Sequence, residues 1–183
     1  MVILMSGLPA SGKTTTAARL HRALGGVLIR SCDVYAALGI DLPAWVEKTD
    51  GFTRDVAGYE TARDAADGEI QRRIGDALAA GADPVIVDAV HGERDKRCAV
   101  YALGLSHARR SMIVWCRCDD DAEVELRIAA RRGREAQPEN EASDASVLRH
   151  LRSLWQAPTD DRLPDGAIVP VVIYDTTQAR SAT

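Results

Sequence analysis

The sequence predicts an α/β domain, a five-stranded parallel sheet with helical layers on both faces. Three observations carry that expectation. Short apolar runs alternate with longer stretches of helical period. The first run leads straight into Gly7-Leu8-Pro9-Ala10-Ser11-Gly12-Lys13-Thr14 and then an amphipathic stretch. The length, 183 residues at 46% hydrophobic and 27% charged, suits one domain with a substantial core.

The elements follow in order. Strands are expected over Val2 to Met5, Gly26 to Arg30, Pro84 to Asp88, Ser111 to Cys116 and Ile168 to Tyr174. Ala17, Leu20 and Leu24 recur at i, i+3, i+7 and predict a helix after the first strand, stopped by Gly25-Gly26. Ile70, Ile74 and Leu78 form an i, i+4, i+8 stripe in a helix that starts after Asp55 and ends near Gly81. Asp120-Asp121-Ala122-Glu123 has capping-box spacing and opens a helix through Ala130. Ser143 is placed to cap a further helix burying Val147, Leu151 and Leu154. Pro158, Pro164 and Gly166 form a loop into the fifth strand, and residues 178–183 read as a frayed tail, so residues 1–177 make one domain.

Several classes are disfavoured early. The net charge is −4, from 23 Lys+Arg against 27 Asp+Glu, which gives no support for bulk nucleic-acid binding. No apolar run is long enough to span a membrane, and Met1-Val2-Ile3-Leu4-Met5 enters the glycine loop without a basic leader, so a cytoplasmic protein is expected. The four cysteines, Cys32, Cys98, Cys116 and Cys118, make no C-x-x-C pair. Neither zinc nor a structural disulfide is expected, and Cys116 with Cys118 reads as two same-face residues of one strand.

Gly7 to Thr14 is a full G-x-x-x-x-G-K-[ST] match between a strand and a helix, the setting that makes it a phosphate-binding P-loop. Its glycines let successive N–H groups and the helix N-terminus face an anion. The three-layer P-loop NTPase fold follows, with ATP and Mg²⁺ as cofactors. Nucleotide contacts are expected from Gly7, Pro9, Ala10, Ser11, Gly12, Lys13, Thr14 and Thr15, with Lys13 on the β and γ phosphates and Thr14 on Mg²⁺. The alternative is a plain glycine turn before a helix.

The rest of the chain must say where the γ-phosphate goes. Asn140 is the only asparagine and stands outside any N-K-x-D element, so a guanine-specific switch is disfavoured. The chain is short for a motor or a lid-bearing AAA+ ATPase, and it has no L-S-G-G-Q stretch. Asp88 ends the apolar run Pro84-Val85-Ile86-Val87, where a carboxylate can hold Mg²⁺ directly or through its water, or simply form a turn. Asp33 lies just past the second strand, at the sheet edge where ligands of open α/β folds gather, and can accept the acceptor's hydroxyl proton. Its alternative role is a helix N-cap. Arg127 and Arg131 are four apart on one predicted helix, and Arg132 and Arg134 follow. A lid of forked guanidiniums over about 127–144 can stabilise charge in phosphoryl transfer and exclude water. A solvated face paired with the acids of residues 119–125 is the alternative. His91, just beyond Asp88, reads as a polar loop histidine, with acceptor contact the other choice.

The order of P-loop, Asp33, Val87-Asp88 and R-x-x-x-R at Arg127 and Arg131 resembles the P-loop kinases of the zeta-toxin and polynucleotide-kinase type. The likeness takes in Ile29-Arg30-Ser31-Cys32-Asp33-Val34, Val85-Ile86-Val87-Asp88-Ala89, Leu126 to Arg132 and Ser143-Asp144-Ala145. Chloramphenicol phosphotransferase is similar in size and layout, including an Asp-Thr-Thr like Asp175-Thr176-Thr177. The resemblance implies Asp33 as general base, Lys13 and Thr14 as phosphate and Mg²⁺ contacts, Arg127 and Arg131 as lid arginines, and Asp175 and Thr176 beside the adenine.

One position departs from the pattern. Polynucleotide kinases carry an acceptor-gripping arginine three residues after the catalytic aspartate, and here that residue is Ala36, which speaks against nucleic-acid ends. The stretch 34–60 instead carries Tyr35, Trp45, Phe52 and Tyr59, half of the chain's aromatics. They can line a pocket for a ring-bearing small molecule, with Tyr35, Tyr59 and Asp88 as acceptor contacts beside Asp33, or pack in the core. The expected activity is ATP-dependent phosphorylation of a small-molecule hydroxyl. Its rivals are a kinase for a polynucleotide 5′-hydroxyl or a charged tRNA, and a nucleotide-binding regulator without an acceptor.

Overall fold

The structure is a computed structural model and describes residues 1–40, 56–132 and 145–177. Trp45, Phe52, Arg54, Arg134, Ser143, Asp144 and the tail from residue 178 lie outside the described residues. Five parallel strands, β1 (Val2–Ser6), β2 (Val27–Arg30), β3 (Val85–Asp88), β4 (Ser111–Arg117) and β5 (Val171–Asp175), stand in the order β2-β3-β1-β4-β5. The helices are α1 (Lys13–Leu24), α2 (Ser31–Ala37), α3 (Val56–Ala79), α4 (Arg94–Ser106), α5 (Asp121–Arg132) and α6 (Ala145–Ser153). Leu4 lies opposite Val87 on one side and Ile113 on the other, Arg30 opposite Asp88, and Arg117 opposite Asp175. Parallel pairing brings every strand's carboxyl end to one edge. The chain leaves β1 towards β2 on one side and comes back to β4 on the other, so the crevice for a ligand opens at the end of β1.

The central strands are apolar without interruption because both faces are covered. Ile3, Met5, Ile86, Val114 and Cys116 pack on Ala17 and Leu20 of α1. Val2, Leu4, Val85, Val87 and Ile113 pack on the opposite face, against Ile70, Ile74 and Leu78 of α3 and Val100 and Tyr101 of α4. A third cluster joins Ala10 of the P-loop to Val124 and Ile128 of α5 and Leu148 of α6.

Four details differ from expectation. Leu24 is 51% exposed rather than buried, because α1 ends there and Gly25 caps it by donating its N–H to His21 O. Helix α4 carries no stripe that the sequence reading recognised. Strand β5 begins at Val171, three residues later than expected. Pro170 has no N–H for a ladder, and exposed Ile168 makes an isolated antiparallel bridge with Arg162. Cys118 sits one residue beyond β4, outside the strand it was expected to share with Cys116. The Asp120 cap is present, its Oδ1 accepting from Ala122 N at 3.0 Å and Glu123 N at 3.2 Å. Among the described residues no helix is long and apolar enough to cross a membrane.

Candidate active site

The P-loop joins the end of β1 to α1, with backbone conformations that need its glycines. Gly7 has φ 150° and Gly12 φ 87°. A Cβ at Gly7 would collide with the Cys116 carbonyl and Ser11 Oγ, and one at Gly12 would sit 3.0 Å from Thr176 Cγ2. The loop's carbonyls are taken by protein donors. Lys13 Nζ donates to Leu8 O at 2.8 Å, Arg127 Nη1 to Ala10 O at 3.0 Å, Thr176 Oγ1 to Ser11 O at 3.0 Å and Thr16 Oγ1 to Gly12 O at 3.0 Å. With its oxygens tied down this way, the loop is left with donors to offer an anion. The first N–H groups of α1 have no intrahelical acceptor. Ser11 Oγ is buried without a hydrogen-bond partner among the described residues. A phosphate oxygen would satisfy these donors, so the residues present fit a nucleotide. Thr14 and Thr15 are exposed in the first turn of α1.

Arg127 projects from α5 onto this loop and is half-buried. Its Nε donates to Glu123 Oε1 at 2.7 Å, its Nη1 to Ala10 O and to Thr176 Oγ1 at 3.0 Å, and its Nη2 to Thr176 O at 2.9 Å. Thr176 N and Oγ1 also reach Arg117 O. Arg127 and Thr176 therefore brace the outer wall of the P-loop. Asp175 accepts from Thr177 N at 2.8 Å, and the Thr177 hydrogen bonds hold its carboxyl below the usual range. Arg131 falls in the last turn of α5, and its side chain lies outside the described part.

Across the crevice, Asp88 ends β3 and is 5% exposed, and its carboxylate has no hydrogen bond or ion pair among the described residues. A buried carboxylate of this kind fits a hard divalent cation that prefers oxygen ligands. Asp33 lies in the first turn of α2 and is exposed, with Arg30 Nη1 3.8 Å from its Oδ1. Because α2 starts at Ser31, Asp33 is not the helix cap.

Tyr35 is buried and lines a small cavity of about 30 Å³ together with Arg63, Asp67, His91 and Lys96. Tyr59 is 1% exposed, packed in the core with its ring edge-on to His150. His91 has φ 43° and is 8% exposed, with Nδ1 3.0 Å from Met5 O. A carbonyl only accepts, so Nδ1 carries the proton. Burial pushes the His91 pKa down, against the pull of the Met5 carbonyl and Asp67, and so favours the neutral ring.

The wall behind this cavity is a set of ion pairs. Arg63 bonds both Glu60 oxygens at 3.0 Å and Glu93 at 2.6 Å, and Lys96 pairs with Asp67 at 2.6 Å and Asp64 at 3.2 Å. Burial opposes the charge of Arg63, but Glu93, Tyr59 and Glu60 carry its pKa above the ordinary value. His150 Nε2 of α6 meets Glu60 Oε1 at 2.7 Å. Deeper in, Arg97 is 0% exposed and bonds Asp161 at 2.6 and 3.0 Å while its Nη1 donates to His91 O and Gly92 O. Tyr101 Oη donates to Asp161 at 2.7 Å. Burial works against the Asp161 carboxylate, yet Arg97 and Tyr101 hold its pKa below the usual range. Sequence reading singled out none of Arg63, Asp67, Lys96, Arg97, His150 or Asp161. Apart from the i, i+3 pair of Arg63 with Glu60, the side-chain partners described lie far along the chain, up to 90 residues away, where no local spacing encodes them.

Residues 2–158 match the AAA domain family. The chain belongs to that family. No curated protein matches this AAA domain in sequence. Among solved structures, a sugar kinase from Janibacter sp. HTCC2649 is similar with a TM-score of 0.62 at 16% identity, over 97% of this chain and 86% of that chain. Kti12 of Chaetomium thermophilum, solved with ADP-AlF3, gives 0.62 at 23% identity over 99% and 94%. A gluconokinase from Sinorhizobium meliloti 1021 gives 0.55 at 18% identity over 97% and 83%. At these identities the likeness is one of fold, and the AAA domain here has the three-layer α/β/α fold of P-loop kinases.

Proposed function

We propose that this protein is an ATP-dependent kinase that transfers the γ-phosphoryl group to a hydroxyl of a small-molecule acceptor. The observation that carries the reading is the sheet order β2-β3-β1, which lines up Asp33, Asp88 and the P-loop along one edge. Neighbouring strands are about 4.8 Å apart, so the three groups span roughly 10 Å, the scale of a triphosphate and an attacking hydroxyl. Backbone N–H groups at the end of the P-loop and the start of α1, with Lys13, hold the β and γ phosphates. Thr14 and Asp88 hold Mg²⁺, which when bound neutralises phosphate charge. Asp33 takes the proton from the acceptor hydroxyl as its oxygen bonds to the γ-phosphorus, and the bond to the bridging oxygen breaks to leave ADP. Arg127 shapes the loop from outside, and Arg131 is assigned the role of stabilising charge on the transferring group. The kinase names of the structural relatives agree with this reading.

The test is ADP release from ATP and Mg²⁺ against a panel of hydroxyl acceptors. Lys13→Ala should lose on the order of 10² or more in turnover. Asp33→Asn should bind ATP as the parent does and lose transfer, because the base touches the acceptor and not the nucleotide. ATP consumption that proceeds equally without any acceptor would refute the kinase reading and favour a nucleotide-binding regulator.

A further inference from the structure

Resting on the kinase reading, we infer that the acceptor is an uncharged polyhydroxy compound, one of whose non-reacting hydroxyls donates to His91 Nε2 in the cavity between α2, α3 and the loop after β3. The cavity of about 30 Å³ admits one hydroxyl-sized group. His91 stands in its wall with Nδ1 committed to Met5 O, so the ring's other nitrogen is an acceptor, and it has no partner among the described residues. The His91 backbone is fixed by two further bonds to its carbonyl, from Ser6 Oγ at 3.1 Å and Arg97 Nη1 at 3.1 Å. A rigidly held acceptor atom on a buried residue that lines a cavity discriminates strongly for a ligand that donates to it.

The charges around the cavity decide against an ionic ligand. Both cations in the wall, Arg63 and Lys96, are already paired, with Glu60 and Glu93 for the first and Asp64 and Asp67 for the second. Of these four carboxylates only Asp67 lines the cavity, and each cation already has its partners, so a carboxylate or phosphate on the acceptor would gain a cation only by an expensive exchange of partners. An ammonium group in the cavity would lie against Arg63 and Lys96 themselves. A hydroxyl avoids both costs.

Two measurements test this. In the first, the parent protein is offered matched acceptors that differ only in charge: a neutral sugar or polyol, its aldonate, and its amino sugar. The neutral member should lead in kcat/KM by about tenfold or more. A lead for the aldonate or the amino sugar overturns the inference and leaves the kinase reading standing. The second uses His91→Asn, whose side-chain N–H can still donate to Met5 O and whose backbone tolerates positive φ, so that only the Nε2 acceptor is lost. The acceptor KM should rise about tenfold with ATP affinity unchanged. An unchanged acceptor KM overturns the role of His91. As an internal check, Asp67→Asn releases Lys96 from its shortest ion pair and should shift preference towards the aldonate, and no shift would overturn the charge argument.

Discussion

On the β1-β4-β5 side of the catalytic edge, the P-loop is held through its own backbone carbonyls by Lys13, Thr16, Arg127 and Thr176. On the β2-β3 side, the acceptor wall is held by carboxylates and cations meeting across α3, α4 and α6. A loop that must present amides can have its carbonyls tied off from behind by a few neutral or singly charged donors. A pocket that selects a ligand needs side chains, and buried charged ones last only as neutralised sets. On the kinase proposal, the first side would serve a feature every ATP shares, and the second one compound's outline.

The contrast can be broken most severely at Asp161. Replacing it with alanine leaves the Arg97 guanidinium buried and unpaired, so urea unfolding should report a loss of about 3–5 kcal/mol. Stability unchanged within error would show that the acceptor wall does not depend on that pair. On the other side, Thr176→Val removes one hydroxyl that touches Ser11 O, Arg117 O and Arg127. A loss of about 1 kcal/mol is expected, with the ATP KM rising and the acceptor KM constant. If the acceptor KM moves instead, the two sides are not separable in the way described.

The smallest expected effect is a pH dependence. The His91 pKa lies below its ordinary value of 6.5, so the unfolded chain binds a proton that the folded one refuses. Stability from this source is present above 6.5 and declines as pH falls below it. His91→Asn should flatten the slope of unfolding free energy between about pH 7 and about pH 5, and an unchanged slope would assign it to other groups. Asp161 acts lower on the scale. Its depressed pKa gives stability that is present above 3.8 and lost as pH falls through the folded value.

The same contrast explains what the sequence disclosed. Five strands and the P-loop were legible because each is written locally, as an apolar run or a fixed spacing. Ile70, Ile74 and Leu78 are buried as their stripe predicts, and Leu151 likewise. Helix α4 was not legible, because its buried face runs Arg97, Val100, Tyr101, Gly104. That is helical spacing with a charge at one end and no side chain at the other. Asp33 and Asp88 could be picked out because strand ends at the carboxyl edge are the expected place for chemistry. His91 reads in the sequence as a polar loop histidine with acceptor contact the other choice, and only the fold shows that its Nδ1 is spent on Met5 O.

The Thr176 bond to Ser11 O spans 165 residues. A ribosome makes the glycine loop long before it makes the brace behind it. Until β5 has been synthesised and laid beside β4, Ser11 O lacks the donor that turns it away from the crevice. The nascent chain therefore carries the phosphate-binding motif well before it carries the hydroxyl that braces Ser11 from behind.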